Sequence, residues 1–168
     1  TIGTSLEAFA VAVDPAGADG HLLEFTVAVA GDGGAWDAAF SLPLQAPALA
    51  LDACLVDDAA GGDGSGTADA GESVEIALRL HNTGAGDAAG ITATLASLDA
   101  NVHIRGGSGS ADDIPAGGMG LLGTFSVEIM PACPEPALIV FTATVDASTG
   151  PPAEILFELP VGGWFDDM

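Results

Sequence analysis

Asp57-Asp-Ala-Ala-Gly-Gly-Asp-Gly-Ser-Gly-Thr-Ala-Asp-Ala-Gly-Glu-Ser-Val-Glu-Ile-Ala-Leu-Arg-Leu80 decides how the rest of the chain is read. From Ser73 onward it alternates with period two. Val74, Ile76, Leu78 and Leu80 turn one way, and Ser73, Glu75, Ala77 and Arg79 the other. Successive side chains of a strand point to opposite faces, so this is a half-buried β-strand. The run from Asp57 to Glu72 has no continuous apolar face and is broken by glycines, so it is a loop. An acidic, glycine-loosened loop therefore feeds directly into a strand.

Within that loop Asp63, Ser65, Thr67 and Asp69 fall at every second residue, and Glu72 follows three further on. Alternating oxygen side chains separated by small residues suit calcium, which takes roughly six to eight oxygens from a chain that curls round it. The expected ligand set is Asp57, Asp58, Asp63, Ser65, Thr67, Asp69 and Glu72, with Ca2+ as cofactor. The spacing does not match the strict EF-hand loop, and a solvated acidic turn is the alternative.

Outward from this stretch the strand signals continue in both directions. Downstream, strand-like runs are Ala89 to Ser97, Asn101 to Arg105, Leu121 to Met130, Ala137 to Asp146 and Ala153 to Pro160, with Leu49 to Val56 upstream of the loop. His81-Asn-Thr-Gly-Ala-Gly-Asp87 is a turn, and Gly106 to Gly118 reads as a glycine- and serine-rich loop. Short strands separated by turn signals, without an amphipathic helix, predict an all-β fold with an antiparallel sandwich over 48–161. Residues 1–47 hold three further runs, Ser5 to Val13, His21 to Ala30 and Ala35 to Gln45. Asp14-Pro-Ala-Gly17 and Gly31-Asp-Gly-Gly34 separate them.

Those first runs repeat the last ones. Phe9-Ala-Val-Ala-Val-Asp-Pro-Ala16 aligns with Phe125-Ser-Val-Glu-Ile-Met-Pro-Ala132. Leu22-Leu-Glu-Phe-Thr-Val-Ala-Val29 aligns with Leu138-Ile-Val-Phe-Thr-Ala-Thr-Val145, and Phe40-Ser-Leu-Pro-Leu44 with Phe157-Glu-Leu-Pro-Val161. The period, a little over a hundred residues, is about one sandwich domain. Residues 1–47 thus read as the three-stranded C-terminal half of a sandwich, 48–161 as a complete one, and 162–168 as a tail. Three strands alone leave an apolar face uncovered.

The chain of 168 residues carries a net charge of −22, with Arg79 and Arg105 its only cations besides histidine. Such a surface repels phosphate backbones and anionic lipid, which argues against nucleic-acid and membrane partners. No apolar run reaches the ~18 residues of a membrane span. No basic n-region begins at Thr1, so any export signal is expected to have been removed or to lie outside this stretch. Cys54 and Cys133 form no CxxC motif; they are expected to make a disulfide in an oxidising compartment, two buried thiols being the alternative. Cys133 aligns with Gly17, which fits a partner on the strand that the first unit lacks.

The block Asp63 to Ile76, followed by Leu80-His-Asn-Thr-Gly84 and Ile91-Thr-Ala-Thr-Leu95, resembles bacterial immunoglobulin-like repeats of the CARDB type. Their pattern is an acidic glycine loop, a Gly-Glu pair, an alternating strand and an Asn-x-Gly turn. The resemblance implies an immunoglobulin-like fold in a secreted or cell-surface protein, with repeats serving as spacers, adhesion modules or fibre units.

Nothing in the sequence assembles a catalytic site. His21, His81 and His103 lack Ser or Cys partner motifs, and no Gly-x-Ser-x-Gly elbow occurs. Asp112-Asp113 and Asp166-Asp167 read as solvated pairs. Trp36 and Trp164 read as packing anchors, with sugar stacking as a weaker option. The expected function is a non-enzymatic extracellular structural module that self-assembles, in fibre or surface-layer style, and is stabilised by calcium. The other option is a set of accessory repeats from a larger secreted hydrolase such as a peptidase. Expected partners are copies of the chain or adjacent repeats of a parent protein.

Overall fold

The computed structural model describes residues 9–162. Ten strands and no helix occur among them. β1 (Leu22–Gly31) and β2 (Gly34–Pro43) form a two-stranded antiparallel sheet of their own. β3 (Leu49–Asp57), β4 (Ser73–Asn82), β5 (Ile91–Ala96), β6 (Val102–Gly106), β7 (Ser108–Ala111), β8 (Met119–Ile129), β9 (Ala137–Asp146) and β10 (Ala153–Val161) build the sandwich. One of its sheets runs β3-β4-β8-β6 and the other β10-β9-β5-β7, every pairing antiparallel. This is an immunoglobulin-like all-β sandwich.

The alternation seen in the sequence is what fills its core. Val74, Ile76, Leu78 and Leu80 of β4 are all buried, as are Ile91, Ala93 and Leu95 of β5. They meet Phe125, Val127 and Ile129 of β8 and Ile139, Phe141, Ala143 and Val145 of β9 in one continuous cluster. The register slips at three places, one of them between Ile104 and Gly106 of β6. A bulge between Leu51 and Ala53 turns Asp52 out of register, where its carboxylate meets the Arg79 guanidinium. A second slip lies opposite Ala77 and Leu78, at Gly123 of β8.

β7 is a strand that the sequence did not announce. Ser108-Gly-Ser-Ala111 has no bulky apolar member, and it sat within a stretch that reads as loop. β6 and β7 run in the same direction but belong to opposite sheets, so the chain changes sheet at Gly106-Gly107. The Leu95 N–H donates to Gly107 O at 2.8 Å, which holds the crossing against β5. A Cβ on Gly109 would lie 3.1 Å from the Phe125 ring, so glycine lets that ring fill the space beneath β7. Gly109→Val is expected to cost about 1–3 kcal/mol by overpacking; chemical denaturation would measure it.

Two other expectations change. Phe9–Val13 carry no strand pairing and residues 5–8 of that expected run lie outside the described range, so among the described residues the first unit shows two strands, β1 and β2. The structure shows no Cys54–Cys133 disulfide; both residues are free thiols. Cys54 stands opposite Leu78, whereas Cys133 lies in the turn beyond the β8 end that pairs with Ser73. Five residues of strand separate those levels, about 16 Å, while a disulfide needs Cα atoms within about 7 Å. Burial pushes both thiols up from their ordinary value, joined at Cys133 by the charges of Asp99 and Glu135, and so favours their protonated form.

The segment joining the two units is clamped. The Ala46 N–H donates to Asp19 Oδ1 and its carbonyl accepts from Gly86 N; the Ala48 N–H donates to Asn82 Oδ1 and its carbonyl accepts from Thr83 N. Added Cβ atoms on Gly84 and Gly150 would come within 2.3 Å of Ala46 O and 2.5 Å of Pro47 Cγ. The glycines at this end of the sandwich thus form a seat for the linker.

Candidate metal site at the exit end

The acidic loop lies at the opposite end, where β10 leaves the sandwich. Its first residue past β3, Asp58, is 2% exposed. The loop closes around that carboxylate. Gly66 N donates to Oδ1 at 3.1 Å, Ser65 N to Oδ2 at 2.9 Å, and Ser65 Oγ to Oδ2 at 3.3 Å. Glu72 does the same for the other arm, accepting from Asp63 N at 2.9 Å and Asp69 N at 3.1 Å. The close approach requires glycine, since a Cβ on Gly62 would sit 2.7 Å from the Glu72 carboxyl carbon.

This folding brings one carboxylate oxygen each from Asp58, Asp63 and Glu72 within 4.8 Å of one another. A carboxylate that accepts two or three N–H bonds retains free lone pairs, so all three can still face a cation. Both arginines are engaged elsewhere, Arg79 with Asp52 and Arg105 with Glu128. The cluster therefore has no guanidinium to neutralise it.

Its two buried-side carboxyls are shifted in opposite directions. Burial pushes Asp58 up, but the hydrogen bonds from Gly66 and Ser65 together outweigh it and hold the group below its ordinary value. Asp69 is raised, by burial first and then by the charges of Glu72, Glu135, Asp63 and Asp58. The signs follow from linkage. Asp69 contributes stability in acid that is lost as pH rises through its raised value. Asp58 contributes stability at neutral pH that is lost only as pH falls below the ordinary carboxylate range. Cation-free protein is thus expected to gain stability on mild acidification and to lose it again in strong acid, which melting curves taken across that range would show.

Of the seven expected ligands, the fold gathers Asp58, Asp63 and Glu72. Ser65 is tied to Asp58, and its hydroxyl lies 2.7 Å from that of Thr67. Asp69 is near enough to feel the cluster's charge. Asp57 is left out: it alternates to the exposed face of β3 and accepts from Ala59 N. Sequence reading missed Glu135, which reaches in from the β8–β9 turn to accept from Ala70 N at 2.7 Å. A contact across 65 residues leaves no local signal.

The loop is also sewn to the exit strand. Buried Ala68 forms a parallel bridge with Val161, and Gly162 N donates to Ala68 O at 2.9 Å. The other residues singled out lie apart. His21 is beside β1, His81 near the linker end of β4, and His103 on the exposed side of β6. Asp113 accepts from Gly90 N at 3.0 Å, a turn contact. The Trp36 ring lies over Gly31 and Gly33 of the β1–β2 turn. Trp164, Asp166 and Asp167 lie outside the described residues.

A scan against protein-family models found no match, and a search of curated proteins found none either. Among solved structures, the chain is similar to an ASH/PapD-like domain of human CEP192, PapD-like domain 7. Identity is 16% and the TM-score 0.32, over 61% of this chain and 79% of that one.

Proposed function

We propose that the chain is a non-enzymatic structural module of an exported, extracellular protein, a rod-forming repeat of the CARDB kind whose acidic loop binds calcium. The observation that carries this reading is the position of the acidic triad. Asp58, Asp63 and Glu72 converge on a loop hydrogen-bonded to the strand by which the chain leaves the sandwich. A cation there stiffens the joint with whatever follows Gly162. It also offsets part of the self-repulsion of a chain with net charge −22.

Of the partners the sequence leaves open, the linker favours adjacent repeats of a parent polypeptide over free copies. Ala46–Ala48 are held by Asp19 Oδ1 on one side and by Asn82 Oδ1, Gly86 N and Thr83 N on the other, as expected where successive units must keep a set angle. The reading of accessory repeats within a larger secreted hydrolase is compatible with this arrangement, because spacing is then the module's task.

Melting curves in calcium and in chelator test the proposal. Extracellular modules bind calcium at about 10⁻⁴–10⁻³ M, and saturation at about a hundred times Kd adds about 2.7 kcal/mol. The melting temperature is expected to rise by several degrees in the native chain and to stay put in the Asp58→Asn, Glu72→Gln double variant. Identical curves for the native chain in calcium and in chelator would reject the metal site.

A further inference from the structure

The β1–β2 hairpin is a structural copy of β9–β10, register included. Leu22 pairs with Pro43 as Leu138 pairs with Pro160; Leu23 pairs with Leu42 as Ile139 pairs with Leu159. Phe25 stacks on Phe40 with ring centroids 5.2 Å apart and planes at 16°, and Phe141 stacks on Phe157 at 5.4 Å and 12°. One pair differs in an informative way. Val27 faces Ala38 where Ala143 faces Ile155, so one branched and one small side chain are kept but exchanged between strands. Such an exchange keeps the bulk of the face while altering the sequence, as happens in faces that are packed.

The two hairpins differ in cover. Phe157 and Leu159 are 6% and 1% exposed, whereas their counterparts Phe40 and Leu42 are 48% and 52% exposed. The uncovered face forms an apolar trough of ≈ 580 Å³ between the hairpin and the Phe9–Val13 segment. A two-stranded hairpin is at best marginally stable in water without such cover.

We infer that the β1–β2 face is the receiving half of a second sandwich, and that its occupant is a front sheet of the β3-β4-β8-β6 kind carried by the same polypeptide ahead of Phe9. The complete unit shows what seats on this face: the apolar inner side of β4 and β8 covers β9–β10. The alignment of Phe9–Ala16 with Phe125–Ala132, in β8 and just beyond it, makes the missing sheet run directly into Phe9. A second copy is the poorer occupant. Its own front sheet is already covered by its own β9–β10, and two chains of net charge −22 repel. The inference does not depend on calcium.

Hydrogen exchange and sedimentation test it in two chains. In the chain of 168 residues, a monomer is expected, with β1–β2 amides exchanging about a hundredfold faster than those of β9–β10. A dimer with a protected hairpin would overturn the inference in favour of a second copy. In the extended chain, residues 48–124 are placed directly ahead of Phe9. There the hairpin amides are expected to slow to the level of β9–β10, and Phe25→Asp to abolish that protection without affecting β3–β10. A hairpin that still exchanges fast, whether the added strands fold or not, means the face does not accept this sheet and overturns the inference.

Discussion

Phe141→Ala is expected to lower the stability of the sandwich by about 3–5 kcal/mol, the cost of a cavity at a fully packed aromatic. Phe141 is 0% exposed, stacks on Phe157, and lies in the cluster between the two sheets. The matching substitution Phe25→Ala removes the same ring from the same register position of the hairpin, against a face that carries no cover. It is expected to leave unfolding of the sandwich within about 0.5 kcal/mol of the native chain. Urea titrations of both variants measure the contrast, which isolates burial from residue type and local sequence. Equal losses in the two variants would mean that the hairpin shares the core of the sandwich.

Asn82→Ala is expected to cost nearly as much, about 3–4 kcal/mol, without removing any apolar surface. Asn82 is fully buried, and all its side-chain capacity is used. Nδ2 donates to Gly86 O at 2.8 Å and to Ile114 O at 3.1 Å; Oδ1 accepts from Ala48 N and Gly84 N, both at 3.1 Å. Truncation removes the partner of four backbone groups, of which Gly84 N and Ile114 O are in buried contacts, and each buried group left unpaired costs about 1–3 kcal/mol. Asn82→Asp is expected to be worse than isosteric, since it places a carboxylate beside two carbonyl oxygens. Because Asn82 also holds Ala48, exchange of the linker amides should quicken before global unfolding does. Loss of stability with an unchanged linker would show that Asn82 supports only the turn.

The strands were legible because a period of two is a local property. Val74 to Leu80 and Ile139 to Val145 point inward wherever the sheet lies, so their burial follows once they are strands. The repeat was legible for the same reason. Phenylalanine and proline held at one spacing require the same hairpin, and the two stacked pairs are its physical form. The acidic loop was legible as a carboxylate cluster, but its membership was not. Asp57 falls on the wrong face of its own strand, and Glu135 arrives from a distant turn.

By itself, then, the order of residues determined an all-β chain, a sandwich with a hairpin ahead of it that shares the register of its last two strands, and a charged loop ahead of β4. Tertiary structure alone decided that Ser108–Ala111 becomes a strand, that Cys54 and Cys133 remain free thiols, and that Asn82 ties the linker to the Ile114 loop behind it. Alternation fixes which way a side chain points, and it is written in neighbouring residues. Which strands lie side by side, at what height, and with which loop folded over their ends is settled only when the two sheets close on a shared core, because those contacts join residues the sequence keeps far apart.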